Sequence, residues 1–306
     1  MWGFELELKK SLRTKKFWLI LVLILLIYAM AFREVRDNLE GATNPQEVLV
    51  TSVVGYIAVS AFLFIGLYAL MAGATAVNSD LEDGTVRVSL SKPLGRVSYL
   101  LGKFLGQALS IVVAMAFATL LSFAITKYYG LSLTASLVGD LVLSNLLILL
   151  AMLQLLALGL LISTLIRSSN TALGLALVMF FVTGLVMPQV VDGFAEDKAK
   201  EEFGIEDWKD FDKLSQGEKM AYRERLDELY REYHLRYLFY APQVLMLDVF
   251  TDIDRTTFND DGTYTVEYIG VKRAIADNPA QTALMAGLVP VYLGLTLFRF
   301  RRMDLR

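Results

Sequence analysis

The sequence predicts an all-α polytopic membrane protein with six transmembrane helices, an N-terminal amphipathic helix and a small α+β external subdomain. Three observations predict it. Of 306 residues, 55% are hydrophobic and the mean hydropathy is +0.50, an excess that one soluble core of this size cannot bury. Apolar runs recur at lengths near the roughly 20 residues needed to cross the hydrocarbon core. Charged residues gather between those runs rather than inside them.

The first element is the amphipathic helix over residues 1–16. Phe4, Leu8 and Leu12 recur at four-residue spacing, with Trp2 nearby and Glu5, Glu7, Lys9 and Lys10 around them, so the helix is expected to lie in the headgroup plane. Lys15, Lys16 and Trp18 then mark the membrane interface at the entry to the first span, Phe17 to Phe32. That run is short enough for a signal peptide. Arg33, Glu34 and Arg36 follow it without a small-x-small cleavage site, so an uncleaved anchor is expected. The other spans are expected over Val53 to Val77, Phe104 to Thr126, Leu141 to Ile166, Thr171 to Val191 and Ala280 to Phe298. Residues 17–191 thus carry five spans and a loop over 78–103, and residues 280–306 carry the sixth span and a basic tail.

Orientation follows from Lys and Arg in the short loops, which favour the cytoplasmic side. The N-terminal cluster, the loop with Arg87, Lys92, Arg96 and Lys103, the turn at Arg167, and the tail with Arg299, Arg301, Arg302 and Arg306 alternate as six spans require. Both termini are expected inside, with the chain in the cell membrane. Residues 192–279 then fall outside. From Asp192 to Asp277 the sequence holds 12 Lys and Arg against 21 Asp and Glu, a balance of −9, while the rest of the chain is +6. An acidic exterior of this kind excludes a nucleic-acid partner, which needs a concentrated basic face.

Within that external segment, Ser215 followed by Glu218 forms a capping box that opens a helix toward Leu238, with Glu224, Glu228 and Arg231 on a solvated face. Tyr240, Ala241 and Pro242 break it, and Val244 to Phe250 is short and apolar enough to dip into the interface. Thr256 to Phe258 and Thr263 to Ile269 flank Asn259, Asp260, Asp261 and Gly262, the signature of a β-hairpin. Asp252, Asp254, Asp260 and Asp261 lack the spacing of a calcium loop and are expected to serve turns. His234, the single histidine, is expected to be a surface side chain.

Chemistry is conspicuous by what the residues exclude. With one His and no Cys, neither a nucleophilic triad nor a zinc site can be assembled. The spans are nearly free of ionisable groups, with Asp140 at an edge and Asn145, Gln154 and Gln189 as non-titrating polar residues, so a proton relay is not expected. The stretch Gly95 to Lys103 is not a phosphate loop, because its glycines are too far apart and Phe104 stands where Ser or Thr would hold magnesium. Energy must come from outside the membrane.

The loop after the second span is built to dock a partner at the membrane surface. It runs Asp80, Leu81, Glu82, Asp83, Gly84, Thr85, then Leu90, Ser91, Lys92, Pro93, Leu94, Gly95, Arg96, then Gly102, Lys103. This order, acidic-x-acidic-x-Gly-Thr, Leu-Ser-x-Pro-x-x-Arg and Gly-Lys, resembles the intracellular coupling loop of ABC-2 type transporter permeases. Leu8 to Trp18 resembles the family's elbow helix, and Phe300 to Leu305 its usual ending. The resemblance implies that Asp80, Glu82, Asp83, Gly84, Thr85, Ser91, Pro93 and Arg96 meet a cytoplasmic ABC ATPase subunit, with Lys103 at the cytoplasmic headgroups. That partner would bind the ATP and Mg, leaving this chain without a cofactor. It further implies a homodimer in a complex of two permeases and two ATPases, and export of an amphipathic cargo. Bacitracin-like or lantibiotic-like peptides and drugs lead; a lipid or glycoconjugate is the alternative, and a membrane anchor presenting a sensor domain is the alternative of another class. The large external segment departs from the family pattern.

Small residues recur at Gly66 to Gly73 with Ala69, Ala72, Ala74 and Ala76, and again at Gly102 and Gly106. Such faces let helices approach closely, within one bundle or across a dimer.

Overall fold

The computed structural model describes residues 9, 13, 15–39, 66–86, 95–128, 130, 132–206, 208–258 and 264–303. Helix α1 covers Lys15–Leu39. Helices α2 (Gly66–Ala74) and α3 (Asn78–Glu82) are separated by one turn. The long helices α4 (Arg96–Tyr128) and α5 (Ala135–Leu165) follow. Next, α6 (Ser169–Phe181) passes through a π turn (Val182–Val186) into α7 (Met187–Phe203). Helices α8 (Trp208–Lys213), α9 (Gln216–Tyr237) and α10 (Pro242–Thr251) precede strands β1 (Asp254–Phe258) and β2 (Tyr264–Tyr268). Helices α11 (Val271–Asp277) and α12 (Pro279–Arg302) end the described chain.

Four helical stretches among the described residues are long and apolar enough to cross a membrane: α4, α5, the α6–α7 stretch Ser169–Phe203, and α12. The first expected span falls within α1, whose apolar section is shorter, Phe17–Ile27. The second is described only from Gly66, and residues 1–8 of the expected elbow, with Trp2, Phe4 and Leu8, lie outside the described residues, as does Leu12. Trp18, at the head of α1, is 60% exposed and meets Phe17 edge to face.

Helix α5 sits at the centre and packs against α2, α4, α10, α11 and α12. It is apolar on every side, as a surrounded helix must be. Thr134 caps its start by accepting from the Leu137 N–H. The tightest contact is with α2. A Cβ added at Gly73 would collide with the backbone at Leu156 and Leu160, and one added at Gly159 would collide with the backbone at Leu70 and Ala74. The small-residue face of the second span is therefore used inside the bundle.

The helix of the fifth expected span, α6–α7, continues past Val191. Polar residues do not stop a helix, and Glu, Lys and Ala from Ala195 onward favour one. It ends at Gly204, where φ is 66° and the Ile205 N–H returns to the Lys200 carbonyl. Pro188 explains the π turn. It supplies no N–H for an ordinary helical bond to Gly184, and the Met187 N–H reaches back five residues to Val182. Helix α9 packs back along α7, opened by the Ser215–Glu218 capping box. β1 and β2 pair antiparallel, with Phe258 opposite Tyr264 and Asp254 opposite Tyr268; the intervening 259–263 lie outside the described residues.

The glycine contact sets a test. Gly73→Ala or Gly159→Ala should destabilise the protein by about 1–3 kcal/mol through overpacking. Gly174→Ala and Gly287→Ala, where nothing lies within 4 Å of an added Cβ, should be neutral or stabilising in the same melting assay.

Candidate functional site

One end of the bundle gathers α3, the start of α4, the α5–α6 turn and the end of α12. The turn between α2 and α3 is fixed from below by Ser163 of α5, whose Oγ accepts from the Val77 N–H at 2.8 Å and the Asn78 N–H at 3.1 Å. Asn78, fully buried, donates to the Ala74 carbonyl. These bonds satisfy backbone and amide groups that would otherwise be stranded where the helix breaks.

Asp80 turns inward. Its Oδ2 lies 2.6 Å from Lys103 Nζ and accepts from the Tyr99 hydroxyl at 2.7 Å, and both charged side chains are less than a tenth exposed. Lys103 is thus a buried partner and not a headgroup ligand. The Tyr99 ring stacks on Phe300 of α12 at 5.7 Å. Two helical turns before Lys103, Arg96 donates from one guanidinium nitrogen to the carbonyls of Phe300, Arg301 and Met303, at 3.3, 2.9 and 3.0 Å. A cation at the carboxyl end of a helix answers both the dipole and the orphan carbonyls.

Glu82 reaches sideways, accepting from the Ser169 N–H at 2.8 Å, while Ser168 caps α6 by accepting from Thr171. The start of α6 is therefore held by a carboxylate from α3. Gly84 turns the chain at φ 70°, and Thr85 donates to the Asp80 carbonyl. Glu82, Asp83 and Thr85 are exposed, Gly84 and Arg96 half-buried. Ser91 and Pro93 lie outside the described residues. Of the eight coupling residues expected, the structure brings Asp80, Glu82, Asp83, Gly84, Thr85 and Arg96 to one end; Asp80 serves the interior, and Glu82 and Arg96 tie α3 and α4 to neighbouring helices.

The other end holds a second charged assembly. Asp140 of α5 accepts from the Tyr268 hydroxyl at 2.8 Å and the Val271 N–H at 3.1 Å, which pins β2 and α11 to the centre of the bundle. His234 is not a surface side chain. Its ring joins two helices to its own: Nε2 lies 2.7 Å from Asp192 of α7 and Nδ1 2.7 Å from Asp248 of α10. Tyr230 stacks on the imidazole and donates to Glu196. Arg231 pairs with Asp252, which also accepts from Asn278 at the head of α12. Burial opposes charge on His234, but hydrogen bonds to both carboxylates outweigh it and push its pKa up to about 9. Burial pushes the Asp248 carboxyl up, opposed by His234. A lone histidine in a charged stretch carries no sequence signal for this role, because its two partners stand 42 and 14 residues away.

Because the folded pKa of His234 is above the unfolded value, its contribution is complete below about pH 6.5 and is lost as pH rises through about 9. The clasp should therefore weaken by about 2–3 kcal/mol across that window, read as a falling melting midpoint. His234→Gln should lower stability at pH 6 and flatten the profile between pH 6.5 and 9.5; an unchanged slope would refute the assignment.

The family model described as ABC-2 family transporter protein matches residues 1–305. No curated protein matches the chain. A match of this extent, on a bundle of membrane-length helices with an acidic turn fastened at one end, places the chain in the ABC-2 family of transporter proteins, as a multi-pass membrane transport subunit of a kind that generally works with a partner ABC ATPase.

Proposed function

We propose that this chain is the permease of an ATP-driven exporter, that α3 and the turn after it dock a separate cytoplasmic ATPase, and that the cargo is amphipathic, a peptide antibiotic or drug. The exposed edge of Glu82, Asp83 and Thr85 carries this reading, because it projects from a base bonded to α4, α5 and α6, and α4 is in turn bonded to α12 through Arg96. A push on that edge reaches α4, α5 and α6 through these bonds, and α12 through Arg96. The partner binds ATP and Mg, and this chain holds no cofactor.

The arrangement supports six spans, with α3, the α5–α6 turn and the α12 terminus all facing the cytoplasm beside the N-terminus. Their common end of the bundle agrees with the Lys and Arg pattern. Residues 1–16, with Trp2, Phe4, Leu8 and Leu12, lie along the inner headgroups, and Lys15, Lys16 and Trp18 lead into the first span. Residues 192–279, with α8 to α11 and the hairpin, form the external subdomain, whose α9–α10 joint dips back into the bundle. Two copies and two ATPases make the working complex in the cell membrane, since one copy does not readily enclose a path.

With the ATPase reconstituted, Asp83→Lys should lower ATP-driven transport roughly ten-fold or more, since a reversed charge at an interface costs several kcal/mol. Its melting midpoint should not move. Asp80→Asn should instead cost about 3 kcal/mol of stability by stranding Lys103. Full transport by Asp83→Lys, or full activity of the chain with no ATPase attached, would refute the docking role and favour an anchor that presents the external domain.

A further inference from the structure

The joint between α9 and α10 lies well inside the bundle. Gln154 of α5 donates to the Tyr240 carbonyl at 3.3 Å, and Gln243, in the first turn of α10, donates to Thr183 in the π turn, also at 3.3 Å. Gln154 is 14 residues along α5 from Asp140 and 11 from Leu165, or roughly 21 and 17 Å at the helical rise. Thr183 is 14 residues from the start of α6, again roughly 21 Å. The chain therefore descends from His234, turns at Tyr240 to Pro242 near mid-span, and climbs back as α10.

Three features coincide there. Gln154 and Gln243 are fully or almost fully buried, and the side-chain carbonyl oxygen of each has no hydrogen-bond partner among the described residues. Two stranded acceptors in one place need an explanation, because buried polar atoms are nearly always paired. Helix α10 begins without a side-chain cap; Pro242 has no N–H, and Val244 and Leu245 both donate to the Ala241 carbonyl, so the Gln243 N–H is the amide left near the same point. The π turn adds an interruption of the neighbouring helix beside Gln243. The Tyr292 hydroxyl of α12 lies beside Gln154, so the polar ring draws on four elements.

We propose that this ring is a recognition point for the neutral hydrogen-bonding group, amide or hydroxyl, of an amphipathic ligand. Such a group donates to the two glutamine carbonyls and accepts from the Gln243 N–H at the start of α10. A charged group does not suit it. Residues 141–165, 169–191, 242–247 and 279–298, which surround the ring, contain no charged side chain to answer an ion. Its service to transported cargo rests on the exporter reading; binding itself does not.

The test uses the full-length permease alone in lipid nanodiscs, with three probes of one chain length: decanamide, decyltrimethylammonium and decanoate. Decanamide should raise the melting midpoint in a saturable way, by about 2–4 °C, and the two ions should not. Gln154→Leu with Gln243→Leu should remove the decanamide shift, at some cost to the midpoint without probe, since the Tyr240 carbonyl and the Thr183 hydroxyl lose their glutamine donors. If the double variant does not fold, Thr183→Val, which frees Gln243 without touching either amide, should retain the decanamide shift. Equal shifts from all three probes, no shift with decanamide, or a shift that survives the double substitution would overturn the proposal. No ATPase is present in this assay. A decanamide site that never drives ATP turnover in the assembled complex would leave the site standing and remove the exporter reading.

Discussion

The contact of α2 with α5 is the constraint on which the lower end of the molecule depends. Two glycines, Gly73 and Gly159, let the helix backbones meet with no side chain between them. That approach brings the end of α2 within reach of Ser163, whose hydroxyl receives both amides of the break before α3. A bulkier residue at either glycine would lift the break off its support. In lipid, where apolar surface gains little from association, close packing and buried hydrogen bonds are what hold helices together. The position of the acidic turn is thus fixed from one layer beneath it.

Charge is confined to the two ends, and each end uses it to fasten rather than to conduct. Below, Asp80, Lys103, Glu82 and Arg96 each bind a different helix, and above, Asp140, His234 and Asp252 join the outer helices and the hairpin to the bundle. A buried pair such as Asp80 with Lys103 contributes little net stability over a well-packed apolar pair, yet losing one partner is costly. Such pairs hold one arrangement of the elements. Between the two ends the bundle is closed by apolar packing, interrupted by the glutamine ring and the π turn.

Much of this was legible in the sequence, for reasons that differ by element. Span positions follow from apolar runs set between charged loops, and the helix of residues 216–237 follows from Ser215 and Glu218, a capping signal contained in four residues. The hairpin was visible because its strands flank a compact turn signature. Local signals also found the acidic turn, but not the direction of its side chains. Asp80, Glu82 and Asp83 are alike in one dimension; folding sends the first inward to Tyr99 and Lys103, the second across to Ser169, and leaves the third exposed. The helix of the fifth span continues past Val191, because a change of polarity at Asp192 marks the edge of an apolar run and not the edge of a helix. His234 was misjudged because its partners are distant in sequence.

The α6–α7 stretch joins the two fastened ends in one piece of chain. Its start is capped by Glu82 from below, its upper half carries Asp192 to His234, and Pro188 and the π turn lie between. A continuous helix transmits displacement along its axis, and a π turn is the place where it bends at least cost. Under the proposed docking at α3, motion of the base therefore tilts α6, and the bend at Val182 to Val186 converts that tilt into a shift of Thr183 against Gln243. The single bond between those two side chains is 3.3 Å long, weak beside the 2.7 Å contacts of the His234 clasp just above. Under that docking, strain entering from below would meet the weaker contact of Thr183 with Gln243 before the His234 clasp.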